Sequence, residues 1–276
     1  MAYKDILVYI DDGKSNQERI NTAFDFAKAH QARLTAVTLS ALEPEHMIVK
    51  DETARYNISY QEAEKRLEDF SEQASKLGIE FDTKIIDQAA GRGLRKAVAQ
   101  YARNFDFVIF RQANPNAKNF DMIHNISRKI VVHCGRPVFF MPYIGAHRIP
   151  AKNALIAWDG TATATRAIHD SIPVLRRVKD VTILVVTEGK KKTAKGELLA
   201  DDLAAHLTRH EINVEIRRTT TGSYDVATVL LNHIADNSLD LLIMGSYGTV
   251  GLKRKVFGGV TKKILDSMIV PVIMSH

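Results

Sequence analysis

Short apolar runs alternate with longer segments of helical spacing along this chain, and the alternation is written twice. "DILVYI" from Asp5 and "NALIAW" from Asn153 have the composition of strands buried on both faces. Each is followed by apolar positions at helical spacing, Ile20, Ala23, Phe24 and Ala27 in the first half and Ala164, Ala167, Ile168 and Ile172 in the second. The β-branched runs "RLTAVTLS" and "DVTILVVT" predict the second strands. Longer amphipathic segments, "SYQEAEKRLEDFSEQASKLGI" and "KGELLADDLAAHLTRHEI", lead to third strands in "EFDTKII" and "NVEIRRT". Each half then carries a helix, Leu94 to Asn104 or Asp225 to Asn237, and a buried strand, "FDFVIF" or "LDLLIM". A final helix and a last strand, "PVFFMP" or "PVIMS", complete each half.

The halves align residue by residue, Asp11 with Asp159 at a separation of 148, and the fourth and fifth strands at a separation of 134. Strands alternating with helices predict parallel sheets joined by right-handed crossovers. The expected fold is therefore α/β, as two tandem doubly wound parallel five-stranded sheets. Two prolines and a glycine interrupt the pattern in "MPYIGAHRIPAKN", which places an N-terminal unit at 1–145 and a C-terminal unit at 150–276.

Composition narrows the classes of function. Hydrophobic residues make up 45% of the 276 and charged residues 25%, the balance of a globular protein. The net charge of +6 is scattered among 32 acidic residues rather than gathered in a block, so nucleic acid is not the expected partner. No apolar stretch is long enough for a membrane helix, and "MAYKDILVYIDDG" lacks the apolar core of a signal peptide, so a cytoplasmic location is expected. The one cysteine, Cys134, sits in an apolar segment and is expected to be a buried, unreactive thiol.

The candidate chemistry lies in "LLIMGSYGTVGLKRKVFGGVTKKILDSMIVPVIM", Leu241 to Met274. Gly245 ends the fourth strand of the second half, at the carboxyl edge where open parallel sheets bind ligands. Glycines there let phosphate oxygens approach backbone N–H groups, and Gly258 and Gly259 precede a helix whose N-terminal amides suit an anion. Asp159, ending the first strand of that half, offers a carboxylate to a ribose hydroxyl or a base amino group. Thr161 and Thr163 open the next helix, Thr161 with the alternative role of an N-cap.

The run Gly245, two residues, Gly248, nine residues, Gly258 resembles the G-2x-G-9x-G-(S/T) signature of the universal stress protein family, with Asp159, "VTKKIL" and the closing "VPVIM" in family order. That resemblance covers nearly the whole chain as two tandem units and implies a Rossmann-like fold of the adenine nucleotide alpha hydrolase type. It implies a site for ATP, ADP or AMP, with Mg2+ as a companion ion. Ala157, Trp158 and Asp159 would flank the adenosine, Val185 and Val186 the adenine, and Met244, Gly245 and Gly248 the ribose and first phosphates. Gly258, Gly259, Val260 and Thr261 would hold the outer phosphates. Gly259 departs from the signature, because the expected hydroxyl residue is a glycine. The resemblance also implies association through the last strands, as a pseudo-dimer of the two halves and a homodimer of chains.

The first half lacks the signature: Gly245, Gly248, Gly258 and Gly259 map to Arg111, Asn114, His124 and Asn125. Asp11 and Asp12 without a phosphate loop read as a helix cap or solvated groups. Arg111, Lys118 and His124 remain an alternative pocket for a different anion or small ligand. His206 and His210 stand four apart on a helix but lack a HExxH context, and a solvent-facing pair is the expected reading, with no metal site. Neither a GxSxG elbow nor a Walker sequence is present, and no catalytic residue is assigned. The expected function is a nucleotide-responsive stress or regulatory protein with at most slow ATP hydrolysis. The rivals are a nucleotide-independent scaffold and an adenylate-forming enzyme, the latter lacking an SGGxDS loop.

Overall fold

The computed structural model describes residues 2–40, 48–87, 93–145, 150–187, 194–246 and 259–276. By packing, the chain divides into Ala2–Arg136 and Pro137–His276. The first unit runs β1 (Asp5–Tyr9), α1 (Asn16–His30), β2 (Arg33–Ser40), α2 (Glu52–Lys76), β3 (Phe81–Asp87), α3 (Leu94–Tyr101), β4 (Phe107–Arg111) and α4 (Phe120–His133), with a 3-10 turn at Ala102–Asn104. Its strands pair in the order β3-β2-β1-β4, all parallel. Ile6, Val8, Phe107 and Ile109 are fully buried, as both-face burial requires, and Phe24 of α1 meets Phe70 of α2 at a centroid distance of 5.4 Å.

The second unit contains β5 (Val138–Met141), β6 (Asn153–Trp158), α5 (Ala162–Leu175), β7 (Asp180–Thr187), α6 (Ala194–Arg209), β8 (Val214–Thr220), α7 (Val226–Asp236), β9 (Leu241–Gly245), α8 (Gly259–Ser267) and β10 (Val272–Ser275). Its strand order is β5-β10-β9-β6-β7-β8. All pairs are parallel except β5 with β10, where Phe139 stands opposite Ile273. By packing, the last strand of the first repeat thus lies in the sheet of the second unit.

The alternating pattern becomes the α/β fold it predicts, with one helix longer than expected. α2 has 25 residues where α6 has 16. It begins at Glu52 because the Asp51 carboxylate accepts from the amides of Thr53 and Ala54, at 2.8 and 3.1 Å, capping a first turn with few apolar residues. Strand order reverses between β1 and β4 and again between β6 and β9, so each unit has a switch point at its carboxyl edge. Cys134 is buried, and no helix among the described residues is long and apolar enough to cross a membrane.

Candidate functional site

The chain leaves β6 through Asp159 and Gly160, whose φ of +73° is the left-handed turn that a side chain would strain. Thr161 closes this turn onto Asp159: its amide and its hydroxyl both donate to Asp159 Oδ1, at 3.0 and 2.6 Å. With its hydrogen committed to Asp159, Thr161 Oγ1 accepts from the Ala164 amide at 3.2 Å and so caps α5. It also accepts from Thr163 Oγ1 at 3.1 Å. Asp159 itself is exposed, and no hydrogen bond engages its Oδ2 among the described residues. A single free carboxylate oxygen thus faces outward at the switch point.

The first turn of α5 lies directly against the end of β9. A Cβ on Gly245 would stand 2.5 Å from the Ala164 amide nitrogen and 2.8 Å from Thr163 Oγ1. Glycine is required there by helix packing, whatever else the site does. Beyond it, the Ser246 amide and hydroxyl both donate to the Ser275 carbonyl at 2.9 Å, fastening the chain to β10. At Gly259, in the first turn of α8, a Cβ would meet nothing within 4 Å among the described residues.

The predicted residues fall into three groups. Strand register sets Ala157 opposite Met244 and Trp158 opposite Val185, so β6, β7 and β9 bring their ends together. The side chains of Trp158, Val185, Met244 and Thr261 are buried, while Ala157, Val186 and Val260 are half-buried. A ligand on this edge would meet Trp158, Val185 and Met244 through their backbone. Trp158 Nε1 is buried without a hydrogen-bond partner among the described residues. Gly248 and Gly258 lie outside the described residues, as does the basic segment Lys253 to Lys255.

The equivalent edge of the first unit is filled by its own side chains. Asp11 is neither a helix cap nor a solvated group: it is 7% exposed and lies between two buried arginines. Arg19 Nη2 donates to Asp11 Oδ1 at 2.8 Å and to Asn16 Oδ1 at 2.7 Å, while its Nε donates to the Tyr9 carbonyl at 2.6 Å. Arg111 Nη1 pairs with Asp11 Oδ2, and Arg111 Nε donates to the Gln112 carbonyl at 3.2 Å. Burial alone would raise the Asp11 pKa, but the two guanidinium groups outweigh it and hold the carboxyl below its ordinary value. Burial raises the Tyr9 hydroxyl, which stays protonated. Arg111 therefore belongs to this triad rather than to a pocket with Lys118 and His124.

The remainder of that edge is closed by the long helix. Tyr56 of α2 donates to Asp87 Oδ2 at 2.5 Å at the end of β3, and Ser59 lies 3.5 Å from Ser40 at the end of β2. Between Asp11–Ile20 and Arg66–Gln73 a cleft of about 570 Å³ remains, where Arg66 pairs with Asp12 at 2.6 Å. Sequence reasoning missed Arg19, whose place beside Ile20 on the buried face of α1 was the available signal. It also missed the position of Leu199, whose Cδ1 would stand 3.4 Å from a Cβ on Gly160. Among the described residues no three His, Cys, Asp or Glu side chains are placed to hold a metal ion.

Comparison with known proteins agrees with this architecture. No curated protein matches the chain. A universal stress protein from Archaeoglobus fulgidus DSM 4304 superposes with a TM-score of 0.73 at 15% identity, covering 98% of this chain and 95% of that one. A putative universal stress protein from Pseudomonas aeruginosa UCBPP-PA14 gives a TM-score of 0.64 at 14% identity, covering 99% and 93%. A shorter universal stress protein, solved in complex with cAMP, matches at 12% identity with a TM-score of 0.38, over 46% of this chain and 98% of its own. The first two share the fold of the whole chain. Residues 150–276 match the model described as the Universal stress protein family. The family match thus falls on the C-terminal repeat, and residues 150–276 are similar to the universal stress protein family.

Proposed function

We propose that the C-terminal unit binds an adenine nucleotide at the carboxyl edge of β6, β7 and β9, and that the protein acts as a nucleotide-responsive regulator. The observation that carries this reading is the Asp159–Thr161 turn, which fixes one carboxylate oxygen and leaves the other free at the switch point. A free Oδ2 fits a ribose hydroxyl or a base amino group. The start of α8 at Gly259, with the amides of its first turn, fits phosphate oxygens. ATP, ADP and AMP share both features. When bound, the phosphates supply the charge that Mg2+ would accompany; Asp159 orients the nucleoside, and α8 donates to the phosphate end.

The first unit, 1–145 in the repeat, is proposed to bind no nucleotide in this mode, because Arg19, Asp11 and Arg111 occupy its switch point. The antiparallel β5–β10 ladder supports a pseudo-dimer joined through the last strands of the two repeats. Calorimetry with ATP, ADP and AMP on the full chain tests the nucleotide reading, with Asp159→Ala as the variant. The single tryptophan, Trp158, adjoins the site and gives a second, fluorescent readout. Saturable binding weakened at least about tenfold by Asp159→Ala is expected, the loss of one charge-assisted hydrogen bond. No saturable binding by the intact protein would favour a nucleotide-independent scaffold.

A further inference from the structure

Three imidazoles gather where α6 ends. His206 lies in the last turn of α6, His210 just beyond it, and His169 on α5. The His206 ring stands between the others, at centroid distances of 5.0 Å from His169 and 4.8 Å from His210. His206 and His210 are therefore not a purely solvent-facing pair. His206 Nε2 is buried and has no hydrogen-bond partner among the described residues.

The surroundings of this ring carry one sign of charge. The ionisable groups acting on His206 are His169 from α5 and His210 and Arg209 beside it, every one cationic when charged. From β8, Arg218 is paired with Asp201 of α6 at 3.1 Å and is not among them. Among the described residues, a proton taken up by His206 thus meets no carboxylate that acts on it. Burial first, and then these neighbours, lower the pKa of His206 from its ordinary 6.5.

We propose that His206, packed between His169 and His210, is an acid-sensitive latch, which holds the end of α6 on α5 while its ring is neutral and releases it as that ring takes up a proton. In the folded state the neutral form of His206 is favoured, whereas the unfolded chain binds its proton more readily. The contribution to stability is therefore intact above pH 6.5, the ordinary value, and is lost as the pH falls below it and through the depressed folded value. α6 also carries Leu199, which flanks Gly160 in the Asp159–Thr161 turn. Release of its end would loosen the element beside that turn.

Hydrogen exchange of the full chain without nucleotide, corrected for intrinsic rate and compared at pH 7.5 and 5.0, reads the latch directly. Protection across residues 199–209 is expected to fall at least about threefold at pH 5.0 relative to the rest of the unit. His206→Gln keeps a polar side chain without the titration and should flatten this response. His169→Gln, at an exposed position on the other helix, should reduce it and decides the matter if His206→Gln fails to fold. An equal pH response in wild type and the folded variants, or no response in the wild type, would overturn the proposal.

Discussion

Replacing Asp11 by Asn keeps the shape of the side chain and removes one charge from the middle of the first unit. In the wild type that carboxylate lies between side chains that are 0% exposed at Arg19 and 4% exposed at Arg111. Without it the two guanidinium groups keep, among the described residues, only neutral acceptors: the Tyr9 and Gln112 carbonyls and Asn16. Removing one member of a buried ion cluster costs about 3–5 kcal/mol, because the remaining charges stay desolvated and unpaired. At roughly 2 kcal/mol per molar urea, the unfolding midpoint of the first unit should fall by about 2 M. Far-UV circular dichroism follows the whole chain, while fluorescence of Trp158 follows the second unit as an internal control. Asp11→Leu combined with Arg19→Met and Arg111→Met removes every charge and should recover most of the loss. The pH dependence has a fixed sign. Because the carboxyl is held below its ordinary 3.8, its contribution is present above that pH and is lost as the pH falls through the folded value, a component that Asp11→Asn should lack. A midpoint shift below about 0.5 M for Asp11→Asn would mean that water reaches the arginines and that the buried-triad argument fails.

Other perturbations separate packing from binding in the second unit. Gly245→Ala places a Cβ 2.5 Å from backbone, and should cost about 1–3 kcal/mol, seen as a lower Tm with or without nucleotide. Gly259→Ser meets nothing within 4 Å among the described residues, so its Tm should stay within about 2 °C of wild type, a few tenths of a kcal/mol, while calorimetry registers tighter ATP binding from the added hydroxyl. Thr161→Val removes the α5 cap and the hydroxyl bond to Asp159, and should lower stability by about 1 kcal/mol in urea titration. The backbone amide at that position can still donate to Asp159, so a much larger loss would point to a wider collapse of the turn.

Much of this architecture was legible because both-face burial leaves a plain mark: "DILVY" and "FVIFR" carry runs that only a covered parallel strand tolerates. The duplication then transferred every element from one half to the other. The first turn of α2 was not legible, since its stability comes from Asp51 rather than from apolar periodicity. The triad was hidden for a related reason. Charged residues at a helix start and a strand end read as solvated until the fold brings them onto one edge, and Arg19 maps to Ala167 in the other repeat, where nothing announces it.

The two carboxyl edges are related by an exchange of volume rather than by the loss of a motif. At equivalent positions the second unit has Thr161 and Gly245, and the first has Gly13 and Arg111. Where the strand end is glycine, the neighbouring turn carries a side chain, and the first turn of α5 packs onto the vacated space. Where the strand end is arginine, the turn has given up its side chain, since a Cβ on Gly13 would stand 2.6 Å from Arg111 Nη1. The glycine stands in the turn rather than at the strand end, and Asp11 lies inward against the arginine at that strand end. Arg111→Gly alone therefore should not restore a second site: it leaves Asp11 held by Arg19 and leaves Gly13 without the hydroxyl that orients Asp159 in the other unit. Calorimetry on that variant should still count one nucleotide per chain, and a second equivalent would show that the arginine alone had closed the first unit.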